Sequence, residues 1–355
     1  YDYLVVNLGV RFDYFDANSE VPEDYGRPAH SPREETEPHW QLSPRVGLAY
    51  PITENGVVHV SYGHFFQIPS FRYLYTNPDY TYDPEVGLGR IFGNPNLKPQ
   101  QTITYETGLQ YGFNDFLALN ATVFYKDIRN LLGTRIETIK PGVDEPFPLS
   151  KYGRYINRDY GQSKGLIMSL EKRMRAGYSF KINYSLQYAM GNASDPEDRL
   201  LDEQAGIQTE KQMVPLDWDR RHSLKANLSI LTYGNWVITM QGEVGSGLPY
   251  TPSIANERIA IENSGRKPSY YNLDIYASRT FKLSNNMDAN VFIRAYNILD
   301  TQNEEQVYND TGRAFPNLRY YSGQPQGLNS KEEFLFRPDF YSPPRRVTVG
   351  FEISF

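Results

Sequence analysis

The sequence lacks cysteine, long apolar runs and basic clusters, and each absence excludes a class of protein. Without cysteine among its 355 residues, it has no disulfides, thiolate nucleophiles or zinc–thiolate sites. No window approaches the roughly 18 consecutive apolar residues of a membrane-spanning helix, which excludes a helical membrane protein. The net charge of −6 with no basic run argues against nucleic acid as a partner. The five histidines show no metal-ligand spacing, so we predict neither a metal site nor a cofactor.

Tyrosine and phenylalanine are abundant, with 29 and 19 residues against only 3 tryptophans. Many of them lie in segments where apolar and polar residues alternate. In residues 4–14 every even position is apolar or aromatic, and most odd positions are polar residues or glycine. A period of two indicates a β-strand with two unlike faces, and recurrent strands exclude a disordered chain. The chain is therefore predicted to be all-β.

Twelve segments follow this alternation, and most reach the 9–11 residues that a tilted strand needs to cross a bilayer. Strands of soluble sandwiches are usually shorter, at about 5–6 residues. The predicted strands are residues 3–15, 40–50, 56–66, 101–112, 115–128, 163–173, 177–190, 219–231, 235–246, 270–282, 286–299 and 344–355.

The connections between these segments alternate between short turns and long loops, which distinguishes a membrane barrel from a soluble sandwich. Long structureless loops are uncommon in compact soluble domains, whereas outer-membrane barrels have short periplasmic turns and long extracellular loops. We therefore predict a transmembrane antiparallel β-barrel that spans residues 1–355, with both chain ends periplasmic. The predicted extracellular loops are residues 16–39, 67–100, 129–162, 191–218, 247–269 and 300–343.

One loop-to-strand junction resembles a known family. Residues Asn94, Pro95, Asn96, Leu97, Lys98 and Pro99 lead into a strand that contains Glu106. This junction is similar to that of TonB-dependent outer-membrane transporters, and residues 60–69, 219–223, 247–251 and 296–300 resemble further barrel segments of the same family. The terminal Phe355 on an alternating strand is similar to the end signature of outer-membrane barrels.

The resemblance implies a 22-stranded barrel closed by a plug domain. Twelve strands in 355 residues take about 30 residues each, so 22 strands would need about 650. The sequence also lacks a plug-like stretch and a TonB-contacting segment. We therefore expect the C-terminal half of such a barrel. A complete twelve-stranded barrel, acting as a passive pore or a structural envelope protein, remains the alternative.

The family also implies a function and a set of partners. The function is active uptake of a bulky, scarce nutrient across the bacterial outer membrane, with a siderophore, cobalamin, a glycan or a peptide as candidate classes. The implied partners are outer-membrane lipid, the chain's own N-terminal plug and missing barrel strands, and a TonB-type energy-coupling protein that would bind the absent N-terminus. The barrel-assembly machinery would recognise Phe355, and a surface lipoprotein is a further candidate partner. No enzymatic activity is expected.

Two sets of residues are candidates for binding. The first comprises charged side chains on the polar face of the strands, which would face the lumen and contact the plug: Arg11, Arg45, His59, Glu106, Lys181, Glu243 and Arg294. The second comprises loop tyrosines that could stack on a ligand, although packing of the loop against itself is the simpler expectation: Tyr73, Tyr75, Tyr80 and Tyr82.

A single motif suggests covalent chemistry. Residues 161–165 match G-x-S-x-G, which would make Ser163 a nucleophile with His222 as the nearest candidate base. That motif functions on a strand–turn–helix elbow, and here a transmembrane strand follows it instead. A barrel hydrolase that uses Ser163 is therefore the third and weakest hypothesis, and the simpler interpretation is a small, flexible entry to a strand.

Overall fold

The fold was analysed in a computed structural model. The structure describes residues 3–25, 28, 31–79, 91–138, 151–192, 196–197, 212–254, 257–284, 287–318 and 336–354. Of the predicted site residues, Tyr80, Tyr82 and Phe355 lie outside the described residues.

Twelve long strands in the described part of the chain form one sheet. Each strand pairs antiparallel with the next, in simple up-and-down order. The strands are β1 (Val5–Phe15), β2 (His39–Thr53), β3 (Gly56–Gln67), β4 (Gln100–Asn114), β5 (Leu117–Thr138), β6 (Lys151–Arg175), β7 (Tyr178–Gly191), β8 (His222–Thr232), β9 (Trp236–Gly245), β10 (Tyr270–Ser284), β11 (Met287–Tyr296) and β12 (Arg346–Ser354). All twelve correspond to predicted segments, so the all-β antiparallel prediction is confirmed.

The sheet is not closed on itself. Among the described residues, β1 pairs only with β2 and β12 pairs only with β11, so these two strands are the edges. An edge strand leaves a row of unpaired N–H and C=O groups, which has no place within a bilayer. The chain therefore forms part of a barrel wall.

The two faces of the sheet differ in the way that the alternation predicts. On β1, Leu8, Val10 and Phe12 point away from the protein and are 70%, 68% and 63% exposed. Side chains of this parity form an apolar outer face that is suited to contact with lipid. The opposite parity, with charged residues such as Arg45, Glu106 and Lys181, forms the inner face.

The short connections are tight turns at one end of the sheet, called here the turn end. Ala176 and Gly177 connect β6 to β7 with φ angles of +55° and +80°. Positive φ at both central residues is the geometry of a type I′ turn, whose twist matches that of the flanking strands. Gly234 and Asn235, between β8 and β9, likewise have φ angles of +83° and +61°.

The long connections leave from the opposite end, the loop end, and several are structured. The largest difference from the sequence prediction concerns residues 129–162: β5 and β6 continue as a paired hairpin up to Thr138 and from Lys151. The hydrogen-bond ladder does not depend on an apolar outer face, so the alternation that marks a membrane strand ends before the pairing does. The bulges between Ile128 and Leu132 mark this change.

Shorter elements occupy the other long connections. They are the hairpin Glu20–Pro22 with Arg33–Glu35, helix α1 (Phe71–Tyr75), Ile91–Phe92 parallel to β6, Val214–Pro215 beside β7, Pro249–Tyr250 with Gly265–Arg266, Ser253–Ile254 with Glu257–Arg258, and the 3₁₀ turn Pro338–Phe340. No helix in these ranges is long and apolar enough to cross a membrane.

The packing of Gly165 generates a stability prediction. A Cβ atom at this position of β6 would overlap the carbonyl oxygen of Leu186 and the ring of Phe124. We expect Gly165→Ala to lower the free energy of unfolding by about 1–3 kcal/mol, as overpacking does, in urea titrations of the full-length protein. Gly242→Ala, on the interior strand β9, is the matched control, since only Leu273 Cδ1 lies within 4 Å of its added Cβ, at 3.9 Å. Equal stability of the two variants would contradict this packing.

Candidate functional site: the inner wall and the loop cluster

The predicted plug-contacting residues all lie on the inner face, spread over seven strands. Several engage neighbours within the wall. The Ser61 hydroxyl donates to Glu106 Oε2 at 3.0 Å. Lys181 Nζ lies 3.3 Å from Glu171 Oε2, and Lys225 Nζ lies 3.1 Å from Glu243 Oε1. These partly exposed pairs leave donors and acceptors available to anything that fills the lumen.

Two arginines of the set also contact aromatic rings. Arg45 lies 4.8 Å over the ring of Phe65, and Arg294 lies 5.0 Å over Phe292. Such contacts hold a guanidinium in place and leave most of its N–H donors free. Arg11 instead forms a 2.7 Å ion pair with Asp13. His59 packs over the backbone of Gly108, where a Cβ would meet its ring.

A shallow cavity of about 280 Å³ lies on this wall between β1 and β4. Arg45, Phe65 and Glu106 line it, together with three glycines. Glycine within strands is typical of places where another backbone approaches closely. The cavity is therefore lined by small residues and by two side chains of opposite charge, Arg45 and Glu106.

The junction at residues 94–99 is tied to the β5–β6 hairpin by side-chain amides. Asn94 Nδ2 donates to the Tyr155 carbonyl oxygen at 2.9 Å. Asn157 accepts from the Lys98 N–H and donates to the Lys98 carbonyl oxygen, both at 2.7 Å. Asn130 Nδ2 donates to the Pro99 carbonyl oxygen at 3.2 Å. The asparagines hydrogen-bond to backbone groups of the junction and of β6, so the junction has a structural role in this arrangement.

Above the wall, the loops build small hydrophobic cores. Leu74, Leu97 and Tyr155 are fully buried together, and Tyr73 packs its ring against Tyr155 with centroids 4.9 Å apart. Tyr75 also borders this core, and its hydroxyl donates to the Ala17 carbonyl oxygen at 2.8 Å. A second core is formed by Val21, Tyr25, Phe92 and Tyr152. Tyr73 and Tyr75 thus take part in the packing of the loops.

Two buried phenols anchor charged groups beside these cores. The Tyr155 hydroxyl donates to Glu197 at 2.7 Å, and Arg72 pairs with the same carboxylate at 2.7 Å. Tyr152 donates to Glu137 at 2.6 Å. Burial, together with the adjacent carboxylate, raises the pKa of both tyrosines above the usual range. Both therefore remain protonated donors at physiological pH.

A buried ionic centre in the described loops is formed by Asp219, whose role the sequence pattern does not reveal. This fully buried carboxylate accepts from the Ala189 N–H at 2.8 Å. It also pairs with Arg221 at 2.7 Å and with Arg266 at 2.5 Å. Asp219 thereby joins β7 to two loops. The available sequence signal was an aspartate directly followed by arginines, but Arg266 lies 47 residues away.

The structure separates the residues of the hydrolase hypothesis. Ser163 lies on the inner face and is only 1% exposed. His222 lies on the opposite parity, where its Nδ1 is 2.9 Å from the Tyr184 hydroxyl. A nucleophile and its base must be within hydrogen-bond reach, so these two residues form no catalytic pair. In the described ranges, no group of three or more His, Asp and Glu side chains is arranged to hold a metal ion.

Residues 1–298 match the family described as TonB dependent receptor-like, beta-barrel. This chain belongs to that family. The match covers most of the chain and agrees with the two-faced sheet of long strands. No curated protein matches the sequence.

Solved structures of the same architecture resemble the chain in fold. The ferric-catecholate import receptor Fiu from E. coli K12 has a TM-score of 0.55 at 16% identity, over 100% of this chain and 42% of that one. A variant of the ferric enterobactin receptor PfeA from Pseudomonas aeruginosa, in complex with enterobactin, has a TM-score of 0.58 at 15% identity, over 91% and 41%. The copper transporter OprC has a TM-score of 0.55 at 11% identity, over 100% and 46%. The chain thus spans less than half the length of these structures.

The buried Asp219 carboxylate generates a prediction. Asp219→Asn keeps the shape but removes the charge shared by Arg221 and Arg266, and we expect it to lower the free energy of unfolding by about 3 kcal/mol. Urea unfolding of the full-length protein measures this, and amide exchange at Ala189 reports the local loss. Asp339→Asn is the control, because its ion pair with Arg337 is half exposed and should contribute nothing measurable. Wild-type stability of Asp219→Asn would contradict this role.

A carboxylate in the last long loop predicts a pH dependence. Burial tends to raise the pKa of Glu304, but hydrogen bonds from Arg313 and the Ala314 N–H outweigh it and hold that pKa below its ordinary value. The contribution to stability is therefore complete above the ordinary carboxyl pKa of 4.5 and is lost as pH falls through the lowered pKa.

We expect the amide protection factor of Ala314, corrected for intrinsic exchange, to fall in this acid range. Glu304→Gln should show lower protection at neutral pH and little further change on acidification. A wild-type protection factor that stays constant from pH 6 to pH 3 would contradict the assignment.

Proposed function

We propose that this chain is the C-terminal half of the barrel of an active outer-membrane transporter, which takes up a bulky, scarce nutrient with energy from a TonB-type protein. The observation that carries the proposal is the combination of family membership with an apolar outer face and a polar inner wall. In the complete protein, the barrel would have 22 strands and would be closed by a plug. The loop end would face the cell exterior and the turn end the periplasm.

The inner wall supports a filled lumen. Arg45 and Glu106 line a glycine-rich cavity, and buried polar groups need hydrogen-bond partners. A plug domain would supply these partners over the whole wall, including Arg11, His59, Lys181, Glu243 and Arg294. The loop cluster, with Tyr73 and Tyr75 at its core, would form the mouth where the nutrient first binds. Barrel assembly would begin at the strand that ends in Phe355.

The nutrient class is the finer part of the proposal. Fiu and PfeA are named for iron–catecholate ligands and OprC for copper, but at 11–16% identity their likeness shows fold alone. Ferric siderophores, cobalamin, glycans and peptides therefore remain the classes to test. We propose no covalent step, because the one candidate nucleophile is buried away from the one candidate base.

Conductance separates the transporter from a passive pore. We expect the full-length protein in planar bilayers to show no steady ion conductance, since a plug would block the lumen. A stable, open channel would instead support the passive-pore alternative, which the paired charges of the wall would also suit.

Uptake by cells tests energy coupling. Labelled ferric enterobactin, cobalamin, a maltooligosaccharide and a hexapeptide serve as probes in wild-type cells, in cells without the receptor and in cells without TonB. At least one probe should enter only when both proteins are present. Uptake that is unchanged without TonB would overturn the proposal.

A further inference from the structure

A row of tyrosines crosses the outer face near the loop end. Tyr62, Tyr105 and Tyr125 are directly opposite one another on β3, β4 and β5. Their ring centroids are 5.1 Å and 6.3 Å apart. Amphipathic rings belong at the level of lipid headgroups, with the hydroxyl in the polar layer. The row therefore marks one membrane–water boundary on the outer face.

Lys164 continues this row on β6, between Tyr125 on one side and Tyr188 on the other. It is an exposed lysine on the face that carries apolar and aromatic side chains. No described residue forms an ion pair or hydrogen bond with its ammonium group. A lysine near the end of a membrane strand can extend to the headgroup layer, where its charge meets phosphate.

Another lysine on the same strand and face has an ammonium group whose hydrogen-bond acceptors come from the protein itself. Lys172, at the turn end, is 7% exposed and donates to the carbonyl oxygens of Arg175 and Tyr178, both at 2.8 Å. Its Nζ also lies 3.6 Å from the centroid of the Tyr178 ring. The contrast indicates that Lys164 takes its counter-charge from outside the described protein.

The surroundings of Lys164 carry excess positive charge. Arg221 lies 4.2 Å over the ring of Tyr188. It shares a single carboxylate, Asp219, with Arg266, so this group of three side chains has a charge of +1. The nearby pair of Arg129 with Asp127 is neutral. With Lys164 included, these six side chains therefore carry two uncompensated positive charges, which are complementary to a phosphate group.

We propose that Lys164, Tyr125, Tyr188 and Arg221 form a docking site for a phosphate on the headgroup of a glycolipid in the outer leaflet. The ammonium and guanidinium provide charge, and the Tyr188 phenol provides a donor beside them. The Tyr125 hydroxyl donates to Gln162 Oε1 at 3.4 Å, so this ring flanks the site and its oxygen can only accept. Acyl chains would lie along the apolar residues below the row, such as Val123 and Leu166. The inference rests on the proposed membrane placement with the loop end outward, because only then does this row face the outer leaflet.

Native mass spectrometry of the full-length protein tests the site with three probes: bisphosphorylated lipid A, dephosphorylated lipid A and phosphatidylglycerol. We expect Lys164→Gln to weaken binding of bisphosphorylated lipid A about fivefold, the effect of one basic residue near a charged surface, and Lys164→Glu to weaken it further. Binding of dephosphorylated lipid A should not change. These measurements do not involve transport, so a failed transport assay would leave them interpretable.

Lys126→Gln is the matched control, since Lys126 pairs with Ser163 on the inner face at nearly the same level. This variant should bind bisphosphorylated lipid A like the wild type. Equal binding by Lys164→Gln and Lys126→Gln would overturn the site. A stronger preference of the wild type for phosphatidylglycerol would overturn the glycolipid assignment.

Discussion

The hydrogen-bond ladder between neighbouring strands is the constraint on which the rest of the structure depends. Within hydrocarbon no water can satisfy a backbone N–H or C=O, so every strand must be fully paired on both sides. Pairing in a continuous register assigns each side chain to one of two faces, and a slip by one residue would exchange those faces. Apart from a few bulges, the registers between neighbouring strands thus determine which residues lie on the outer face and which on the inner face.

The same constraint explains why the sheet itself has almost no conventional core. Most large apolar side chains of the strands are exposed on the outer face, where lipid takes the place of a second protein layer. Buried hydrophobic residues instead concentrate at the loop end, around Leu74, Leu97 and Tyr155. The protein therefore has two packing regimes: a lipid-solvated wall, and a loop cluster that folds as soluble proteins do.

How well the sequence predicts each of these two regimes depends on how far apart in the chain the interacting residues are. Alternation is a local signal, so the twelve strands and the parity of residues such as Arg11 and Leu8 could be predicted. The loop contacts join residues far apart in the chain: Asp219 meets Arg266 across 47 positions, and Asn94 meets Tyr155 across 61. No periodicity encodes such contacts. The sequence pattern also does not reveal the continuation of β5 and β6 as a paired hairpin, because their pairing persists after the alternation ends.

The position of polar groups relative to the two faces has a functional consequence. On the inner wall, ion pairs such as Lys181 with Glu171 stay half exposed, so binding of another surface there can replace water at modest cost. In the loops, Asp219 is fully buried and accepts hydrogen bonds from three partners. These contacts fix the geometry of the surrounding loops. The polar groups of the wall are therefore available to a binding partner, whereas those around Asp219 are already hydrogen-bonded within the protein. Under the proposed function, the plug would exchange hydrogen-bond partners with the wall, whereas the loop contacts would preserve the shape that a ligand meets.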